Sequence, residues 1–140
     1  GMKKIDTLEG VRIFHETYGL PVKDRPDMSD AKTNQLRINL LQEELDELKE
    51  ALASGDAVGA LDALTDLQYV LDGAYLSLGL HEIKYTAFAE VQRSNMSKLG
   101  EDGKPIRRPE DGKILKGPNF TPPDLKAVVE EWLSVREAAE

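Results

Sequence analysis

Hydrophobic residues recur three and four positions apart through most of the chain, which is the spacing that places side chains on one side of an α-helix. The first such run predicts a helix whose apolar positions are Leu8, Val11, Phe14 and Tyr18. Asp6 with Glu9 three residues later is a capping pair that favours a helix start, and Gly19 favours its end. We therefore expect helix one over this run, followed by a loop as far as Asp30.

Two long helices and a shorter one are predicted next. The second runs from about Ala31 to Gly55, with a leucine stripe at Leu41, Leu45, Leu48 and Leu52. The third starts at the capping residue Asp56 and ends at Gly79, with a stripe at Leu61, Leu64, Leu71, Tyr75 and Leu78. A fourth is expected over residues 82–98. We expect the leucine stripes to form the core.

The composition changes at Gly100, because four glycines and five prolines fall within residues 100–123. Turn-forming residues there favour a short β-ribbon that joins residues 106–108 to residues 113–115. Thr121 followed by proline predicts the cap of a fifth helix. The chain is thus expected to be one all-α, four-helix-bundle-like domain over residues 2–140, with an arm at 100–123 and a final helix. Gly1 is interpreted as a remnant of a cleaved tag.

Composition and charge narrow the classes of function. The 140 residues contain 26 acidic and 18 basic side chains, and so carry a net charge of −8. This acidity argues against nucleic acid as a partner, and the lack of an apolar run of about 20 residues argues against a membrane span. There is no cysteine, which excludes disulfides, thiolate zinc sites and cysteine nucleophiles. We expect a cytoplasmic protein.

The charges are segregated along the chain. Between Ile38 and Ile83 there are ten acidic residues and a single basic one, Lys49. Between Arg93 and Lys116 there are seven basic residues and four acidic ones. Each charged stretch could be merely a solvated surface, which is the commonest explanation for a charge run on a helix.

Two details favour a site over a solvated face. On helix two, Leu36 and Leu40 lie on the same stripe as Glu43 and Glu47, which is unexpected for a face turned only to water. On helix three, Asp62 and Asp66 share a stripe with Tyr69, although aspartate is a poor residue within a helix. If the stripe that bears Glu44 and Glu47 faces the stripe of Asp62 and Asp66 across an antiparallel helix pair, four carboxylates converge. A divalent cation would compensate their charge. Oxygen ligands alone favour Mg²⁺ or Mn²⁺ over Zn²⁺.

The sequence Glu43-Glu44-Leu45-Asp46-Glu47 resembles the EExxE motif of the all-α nucleoside triphosphate pyrophosphohydrolases, the MazG-like and phosphoribosyl-ATP pyrophosphohydrolase-like group that includes the dimeric dUTPases. Asp66 resembles the aspartate of the second family motif, ExxD. The glutamate position of that motif is Ala63, so Asp62, one residue earlier on the same face, is taken as its substitute. Segments 91–105 and 116–120 also resemble one subgroup of this family.

The resemblance implies hydrolysis of a nucleoside triphosphate to the monophosphate and pyrophosphate. It assigns Mg²⁺ to Glu44, Glu47, Asp66 and Asp62. Glu43, or a neighbouring carboxylate that the metal leaves free, would then orient and deprotonate the attacking water. The residues expected to bind the nucleotide are Asn95, Lys98, Lys104, Arg107, Lys116 and Tyr69, the last of which could equally be a packing residue. The family also implies an oligomer, with a homodimer as the first expectation and a tetramer as the alternative.

Other interpretations remain open. Phosphoribosyl-ATP or a damaged nucleotide would use the same chemistry, whereas a non-catalytic helical oligomer would not turn over nucleotides at all. His15 and His81 are interpreted as surface or capping residues, because both lie far along the chain from the acidic motifs. Phe14 and Trp132 are expected in the core.

Overall fold

The computed structural model describes residues 4–140, so that Gly1, the interpreted tag remnant, lies outside the described part. Its helices are α1 (Thr7–Tyr18), α2 (Ala31–Ala53), α3 (Ala57–Leu78), α4 (Lys84–Met96) and α5 (Leu125–Ala139). Two short strands, β1 (Ile106–Arg107) and β2 (Ile114–Leu115), form an antiparallel ribbon. The all-α fold is confirmed. The chain divides into two compact units, Gly1–Glu82 and Ile83–Glu140, and each is described by itself.

The helix boundaries follow the local capping signals closely in the first unit. Asp6, Asp30 and Asp56 each accept hydrogen bonds from backbone N–H groups in the first turn of α1, α2 and α3. Gly19 and Gly79 end α1 and α3 in the left-handed conformation, with φ angles of 68° and 73°. These are interactions within four residues, and for that reason the sequence pattern predicts them well.

In the first unit, α2 and α3 form a helical hairpin and α1 packs on α3. The loop after α1 is tied to the end of α3, because Lys23 and Asp27 donate backbone hydrogen bonds to the carbonyls of Leu76 and Leu78. Gly79 lies against the backbone carbonyl of Arg25, closely enough that no Cβ would fit there. The loop after α1 is therefore hydrogen-bonded to, and closely packed against, the C-terminal end of α3.

The core of the first unit differs from the expectation, because much of it is polar. His15, Arg37, Asp72 and Ser77 are at least nine-tenths buried, alongside apolar residues such as Leu76. Several residues of the expected leucine core are instead exposed, namely Leu45, Leu52, Leu61, Leu64 and Leu71. The expectation of a core built on these leucines is therefore wrong for the chain taken alone. Helical periodicity identifies an apolar face, but it does not say what covers that face.

The prediction that His15 and His81 are surface or capping residues is also wrong, because they are 2% and 5% exposed. The Nδ1 of His15 donates to the carbonyl of Pro21 at 2.8 Å, since a carbonyl can only accept. Burial lowers the pKa of His15, and the nearby charge of Arg37 lowers it further. A neutral imidazole is thus the form that fits this core.

The second unit contains α4, the ribbon and α5. A short 3₁₀ helix at His81–Ile83 precedes α4, so that α4 itself is shorter than expected at both ends. Thr121 does not cap α5; Asp124 does, through a hydrogen bond from the N–H of Ala127. Thr121 instead receives a hydrogen bond from Arg93, and its carbonyl accepts one from the hydroxyl of Ser94. Thr121 therefore bonds to residues of α4 and not to the first turn of α5.

The remaining packing expectations concern two aromatic residues. Phe14 is 39% exposed and so is not fully in the core. Trp132 on α5 is partly buried, and the guanidinium carbon of Arg136 lies 5.5 Å from the centre of its ring. None of the helices in residues 4–140 combines the length and apolar composition that a bilayer span requires.

Candidate metal and nucleotide site

Three carboxylates from the α2–α3 hairpin converge in the first unit. Glu44 and Glu47 extend from α2 and Asp66 from α3, and one oxygen of each lies within 4.8 Å of the others. Glu44 and Glu47 are three residues apart and so lie on one face of α2. We call these three residues the carboxylate cluster. The two acidic stripes predicted four converging carboxylates, and three of them converge here.

The environment of the carboxylate cluster opposes ionisation of all its members at once. Burial, followed by a hydrogen bond to Glu47 and the charge of Asp66, raises the pKa of Glu44 to about 7. The pKa of Asp66 is also raised, by burial first and then by the charges of Asp62 and Glu47. The cluster thus carries negative charges that lack compensation from protein cations, which is the condition that favours cation binding.

One oxygen of the carboxylate cluster is unsatisfied. The Oε2 atom of Glu44 is buried, and no hydrogen-bond donor among the described residues reaches it. A buried carboxylate oxygen without a donor is costly, and a hard cation is a ligand that would satisfy it. The donor set of three carboxylates, with no thiolate and no imidazole, fits a divalent ion of the Mg²⁺ type.

The other acidic residues predicted for the site lie beside the carboxylate cluster. Asp62 is outside the group of oxygens within 4.8 Å, although its charge contributes to the raised pKa of Glu44 and of Asp66. Together with Glu47, Glu50 and Asp56, it lines a polar cavity of about 280 Å³ between α2 and α3. Glu43 is exposed on α2. The roles predicted for Asp62, as a metal ligand, and for Glu43, as the residue that activates the water, stay predictions.

A second cavity lies between the start of the chain and α3. It has a volume of about 370 Å³ and is lined by Ile5, Thr7, Gly10 and Val11 and by Thr65, Gln68 and Tyr69 of α3. We call it the α1–α3 cavity. The ring of Tyr69 is 41% exposed and makes an edge-to-face contact with Phe14, with 5.6 Å between the ring centres. Tyr69 is therefore both a packing residue and part of a cavity wall.

Gln68 and Thr65, which line this cavity, are not predicted from the hydrophobic and acidic patterns of the sequence. The signal that points to Gln68 is Asp72 four residues later, a spacing at which the two side chains can form a hydrogen bond on a helix. The burial of Arg37, which directly precedes the acidic stretch that starts at Ile38, is likewise not predicted. Its burial depends on contacts with α1 and α3 that no local pattern reveals.

The predicted nucleotide-binding residues other than Tyr69 are in the second unit. Asn95 and Lys98 line a cavity of about 390 Å³ together with Met96, Leu99, Pro105 and Ile114. The remaining three, Lys104, Arg107 and Lys116, are exposed. The Nζ of Lys116 lies 4.9 Å from the centre of the Phe120 ring. A cation beside a mainly apolar cavity can bind an anionic ligand that carries a flat organic part.

These features define a class of protein: an all-α chain whose helical hairpin presents a carboxylate cluster suited to a hard divalent cation. The family can be named more closely. The model of the phosphoribosyl-ATP pyrophosphohydrolase family matches residues 11–95, more than half of the chain, and the chain belongs to this family. The stretch that matches includes the whole carboxylate cluster. Membership supports a hydrolase that acts on phosphoric anhydrides.

A solved structure agrees with this assignment. It is the crystal structure of a protein from Exiguobacterium sp. 255-15 that is described as a candidate NTP pyrophosphohydrolase. The two chains are 27% identical, with a TM-score of 0.52, and the similarity covers 96% of this chain and 99% of that one. Among curated proteins, none matches the chain.

Proposed function

We propose that the protein hydrolyses a nucleoside or deoxynucleoside triphosphate to the monophosphate and pyrophosphate in a reaction that depends on Mg²⁺. The observation that carries this proposal is the carboxylate cluster, in which Glu44 has a buried, unsatisfied oxygen and a pKa raised to about 7. Family membership supports the cleavage of a phosphoric anhydride. The similarity to a candidate NTP pyrophosphohydrolase supports a triphosphate substrate.

The residues of the carboxylate cluster would hold the ion, with Asp62 as a further ligand or as a neighbouring charge. When bound, Mg²⁺ neutralises charge on phosphate oxygens and so favours attack at phosphorus. Glu43 is exposed and adjacent to Glu44 in the chain, a position from which a free carboxylate can orient a water and accept its proton. Mn²⁺ would fit the same oxygen ligands.

The other nucleotide-binding residues predicted from the sequence are in the second unit and stay predictions. Asn95 and Lys98, which line a cavity there, are predicted to contact phosphate or sugar oxygens. Lys104, Arg107 and Lys116 would add charge that neutralises the triphosphate, the arginine as a planar fork and the lysines as point charges. A solvated arm with no ligand is the alternative for these three exposed residues.

The decisive experiment measures pyrophosphate release from a panel of nucleoside triphosphates, with Mg²⁺ and with a chelator in excess. Glu44→Gln and Asp66→Asn should each lower Mg²⁺-dependent turnover by about a hundredfold or more, because each removes an anionic ligand. Asp46→Asn is the matched control, since it removes one charge from the same EELDE segment outside the carboxylate cluster. Equal activity in all four proteins would contradict the proposal.

The family description gives a specific reason to consider phosphoribosyl-ATP as the substrate. It carries the same phosphoric anhydride, so the panel should include it beside canonical and modified nucleotides. If phosphoribosyl-ATP is turned over faster than every nucleoside triphosphate, it is the substrate, and the proposed cleavage of a phosphoric anhydride is unchanged.

A non-catalytic helical oligomer is the rival from another class. Calorimetric titration with Mg²⁺ and then with a non-hydrolysable nucleotide separates the two, because a structural module should not bind the nucleotide. A cytoplasmic location and the absence of nucleic-acid binding stay predictions.

We also propose that the protein is a homodimer, with a tetramer as the alternative. The support is a stripe of exposed leucines on α3, formed by Leu61, Leu64 and Leu71, which are 67%, 53% and 43% exposed. We call it the α3 leucine stripe. It continues into an apolar hollow lined by Leu71, Ala74, Tyr75, Leu78 and Leu80. Contiguous exposed apolar surface of this kind is typical of an interface between subunits.

A further inference from the structure

One buried histidine lies where four elements of the first unit meet. His15 is in the last turn of α1, and its Nδ1 donates to the carbonyl of Pro21 in the loop that joins α1 to α2, residues 19–30. A Cβ built on Gly73 of α3 would lie 3.2 Å from Nε2 of His15 and 2.5 Å from a guanidinium nitrogen of Arg37 on α2. The imidazole and the guanidinium thus converge on the same point of α3.

Arg37 is a cation whose charge the core does not neutralise. It is 8% exposed, and its Nε is buried without a hydrogen-bond partner among the described residues. Burial lowers the pKa of Arg37, but a guanidinium keeps its proton in a protein at any ordinary pH. His15 therefore lies beside a fixed positive charge.

Other charged side chains on the elements around His15 are engaged with partners of their own. The pairs are Arg12 with Glu16 on α1, Lys23 with Asp27 in the loop, and Asp72 with Gln68 on α3. No carboxylate of the described residues contributes to the pKa of His15. Burial lowers that pKa first and the charge of Arg37 lowers it further, against the hydrogen bond to Pro21, which raises it. A proton added to His15 would place a second buried cation beside Arg37.

The loop that His15 contacts is attached at both its start and its middle. At the start, the N–H of Leu20 donates to the carbonyl of His15, and the carbonyl of Pro21 accepts from the imidazole. Further along, the N–H groups of Lys23 and Asp27 donate to carbonyls in the last turn of α3. A change at His15 therefore acts directly on the first attachment of the loop.

We propose that His15 is a pH-sensitive switch for the loop of residues 19–30, whose protonation releases this loop from α3 while the α2–α3 hairpin stays folded. The protonated imidazole still has an N–H for Pro21, so the loss of that hydrogen bond does not open the loop. The cost is instead a second buried positive charge next to Arg37, which opening relieves by admitting water to the imidazolium.

The direction and size of the response follow from the binding of one proton. Above pH 6.5, the ordinary pKa of histidine, the imidazole is neutral in both states and the closed loop has its full stability. Below pH 6.5 the open state binds a proton that the closed state does not bind until the pH reaches its own, lower pKa. Between pH 7.5 and pH 5.5 the open population should therefore rise by at most about tenfold.

Amide hydrogen exchange of metal-free protein tests this proposal. The protection factors of Lys23 and Asp27, corrected for the intrinsic effect of pH, should fall by about three- to tenfold between pH 7.5 and pH 5.5. Amides in the middle of α2 and α3 should not change. His15→Gln keeps an N–H donor but does not titrate, so the two protection factors should become nearly independent of pH.

His81→Gln is the matched control, because His81 is the other buried histidine, at 5% exposed. Burial and the charge of Arg12 lower the pKa of His81, but the charges of Glu82 and Asp24 oppose them, so a proton there meets nearby carboxylates. His81→Gln should keep the wild-type loss of protection. An equal loss in wild type and His15→Gln, or a loss that His81→Gln abolishes, would overturn the inference.

A second measurement decides the matter even if His15→Gln does not fold. His15 and His81 are the two histidines of the sequence, so NMR titration of the imidazole nitrogens follows each of them in the wild-type protein. The pKa of His15 should lie below 6.5, and protection of Lys23 and Asp27 should decline between pH 6.5 and that pKa. A pKa of 6.5 or above, or unchanged protection in this interval, would overturn the inference. None of these measurements uses a substrate, so their outcome is independent of the proposed function.

Discussion

Glu44 on α2 and Asp66 on α3 extend from neighbouring helices so that their carboxylate oxygens lie within 4.8 Å of each other. The charge of Asp66 contributes to the raised pKa of Glu44, and both residues are partly buried. Two carboxylates this close resist simultaneous ionisation unless a cation or a proton lies between them. The relationship between these two residues is therefore the basis of both the proposed metal site and the pH dependence of stability.

The pH dependence of stability follows from the raised pKa of Glu44. In the unfolded chain this group has a pKa near its ordinary value of 4.5, whereas in the folded protein the pKa is about 7. The folded state thus binds this proton more tightly, and the contribution of Glu44 to stability should fall as the pH rises from about 4.5 to about 7. The lowered pKa of buried His15 acts in the opposite direction as the pH rises towards 6.5, so the contribution of Glu44 is read from a comparison with a variant. Thermal unfolding of metal-free protein measures this, and Mg²⁺ should restore stability most at the upper end of the range.

The variant Glu44→Gln provides the control for this prediction, because glutamine does not titrate. On going from pH 4.5 to pH 7 in chelator, its melting temperature should fall less, or rise more, than that of wild type, and Asp46→Asn should retain the wild-type dependence. An equal change with pH in wild type and in Glu44→Gln would show that the pKa of Glu44 is not raised in the folded protein.

The close approach of Gly79 to the loop after α1 predicts a large effect of a single methyl group. A Cβ at Gly79 would collide with the backbone carbonyl of Arg25, and the left-handed conformation adds its own strain. Gly19 also ends a helix with positive φ but has open space around it. Gly19→Ala should cost about 1–2 kcal/mol from backbone conformation. Gly79→Ala should cost roughly 1–3 kcal/mol more because the loop must move.

Urea unfolding measures both variants of this glycine pair against wild type. The comparison isolates the contact with Arg25, because the two positions share the same φ region and the same place at the end of a helix. Equal losses of unfolding free energy in the two variants would mean that the loop moves away from residue 79 without a loss of stability.

The second unit depends on a network around Arg93. Its guanidinium contacts Glu90, the hydroxyl of Thr121 and the carbonyl of Pro122. Glu90 in turn accepts from the N–H of Asp124, and the hydrogen bonds from Arg93 and Asp124 lower the pKa of Glu90 to about 2. Arg93→Gln should therefore increase amide hydrogen exchange in α5 several-fold, because the segment before that helix loses its attachment to α4.

Lys126→Gln is the matched control for the Arg93 network. Lys126 forms only an exposed ion pair with Glu130, at 3.8 Å, and such pairs contribute little. Its exchange rates should equal those of wild type. Because the pKa of Glu90 is lowered, the stabilisation from this network should persist above about pH 4.5 and decline as the pH falls towards 2.

The α3 leucine stripe predicts a change in assembly when it is made polar. Light scattering with size exclusion should give the wild type a mass of twice the 15.5 kDa of one chain, or a higher multiple. Leu64→Lys should shift the protein to a monomer with unchanged helix content, because a buried lysine in an interface is costly. Val135→Lys on α5, which is also exposed, should not. A monomeric wild type would contradict the proposed dimer.

The sequence by itself determined the presence of the helices, the ends of α1, α2 and α3, and the acidic stripes. The caps at Asp6, Asp30 and Asp56, and the glycine ends at Gly19 and Gly79, depend on contacts within a few residues. The resemblance to the pyrophosphohydrolase family likewise rests on short motifs on α2 and α3, and the family is confirmed.

Only the tertiary structure decided which side chains face each other. The rotation of α2 against α3 placed Glu44 in the carboxylate cluster and left Glu43 exposed. Long-range contacts bury His15 and Arg37. Arg93 of α4 donates a hydrogen bond to Thr121, the N–H of Asp124 donates one to Glu90 of α4, and Asp124 rather than Thr121 caps α5. The physical reason is that a local pattern fixes the direction of a side chain relative to its own helix, whereas burial and pKa depend on residues far away in the sequence.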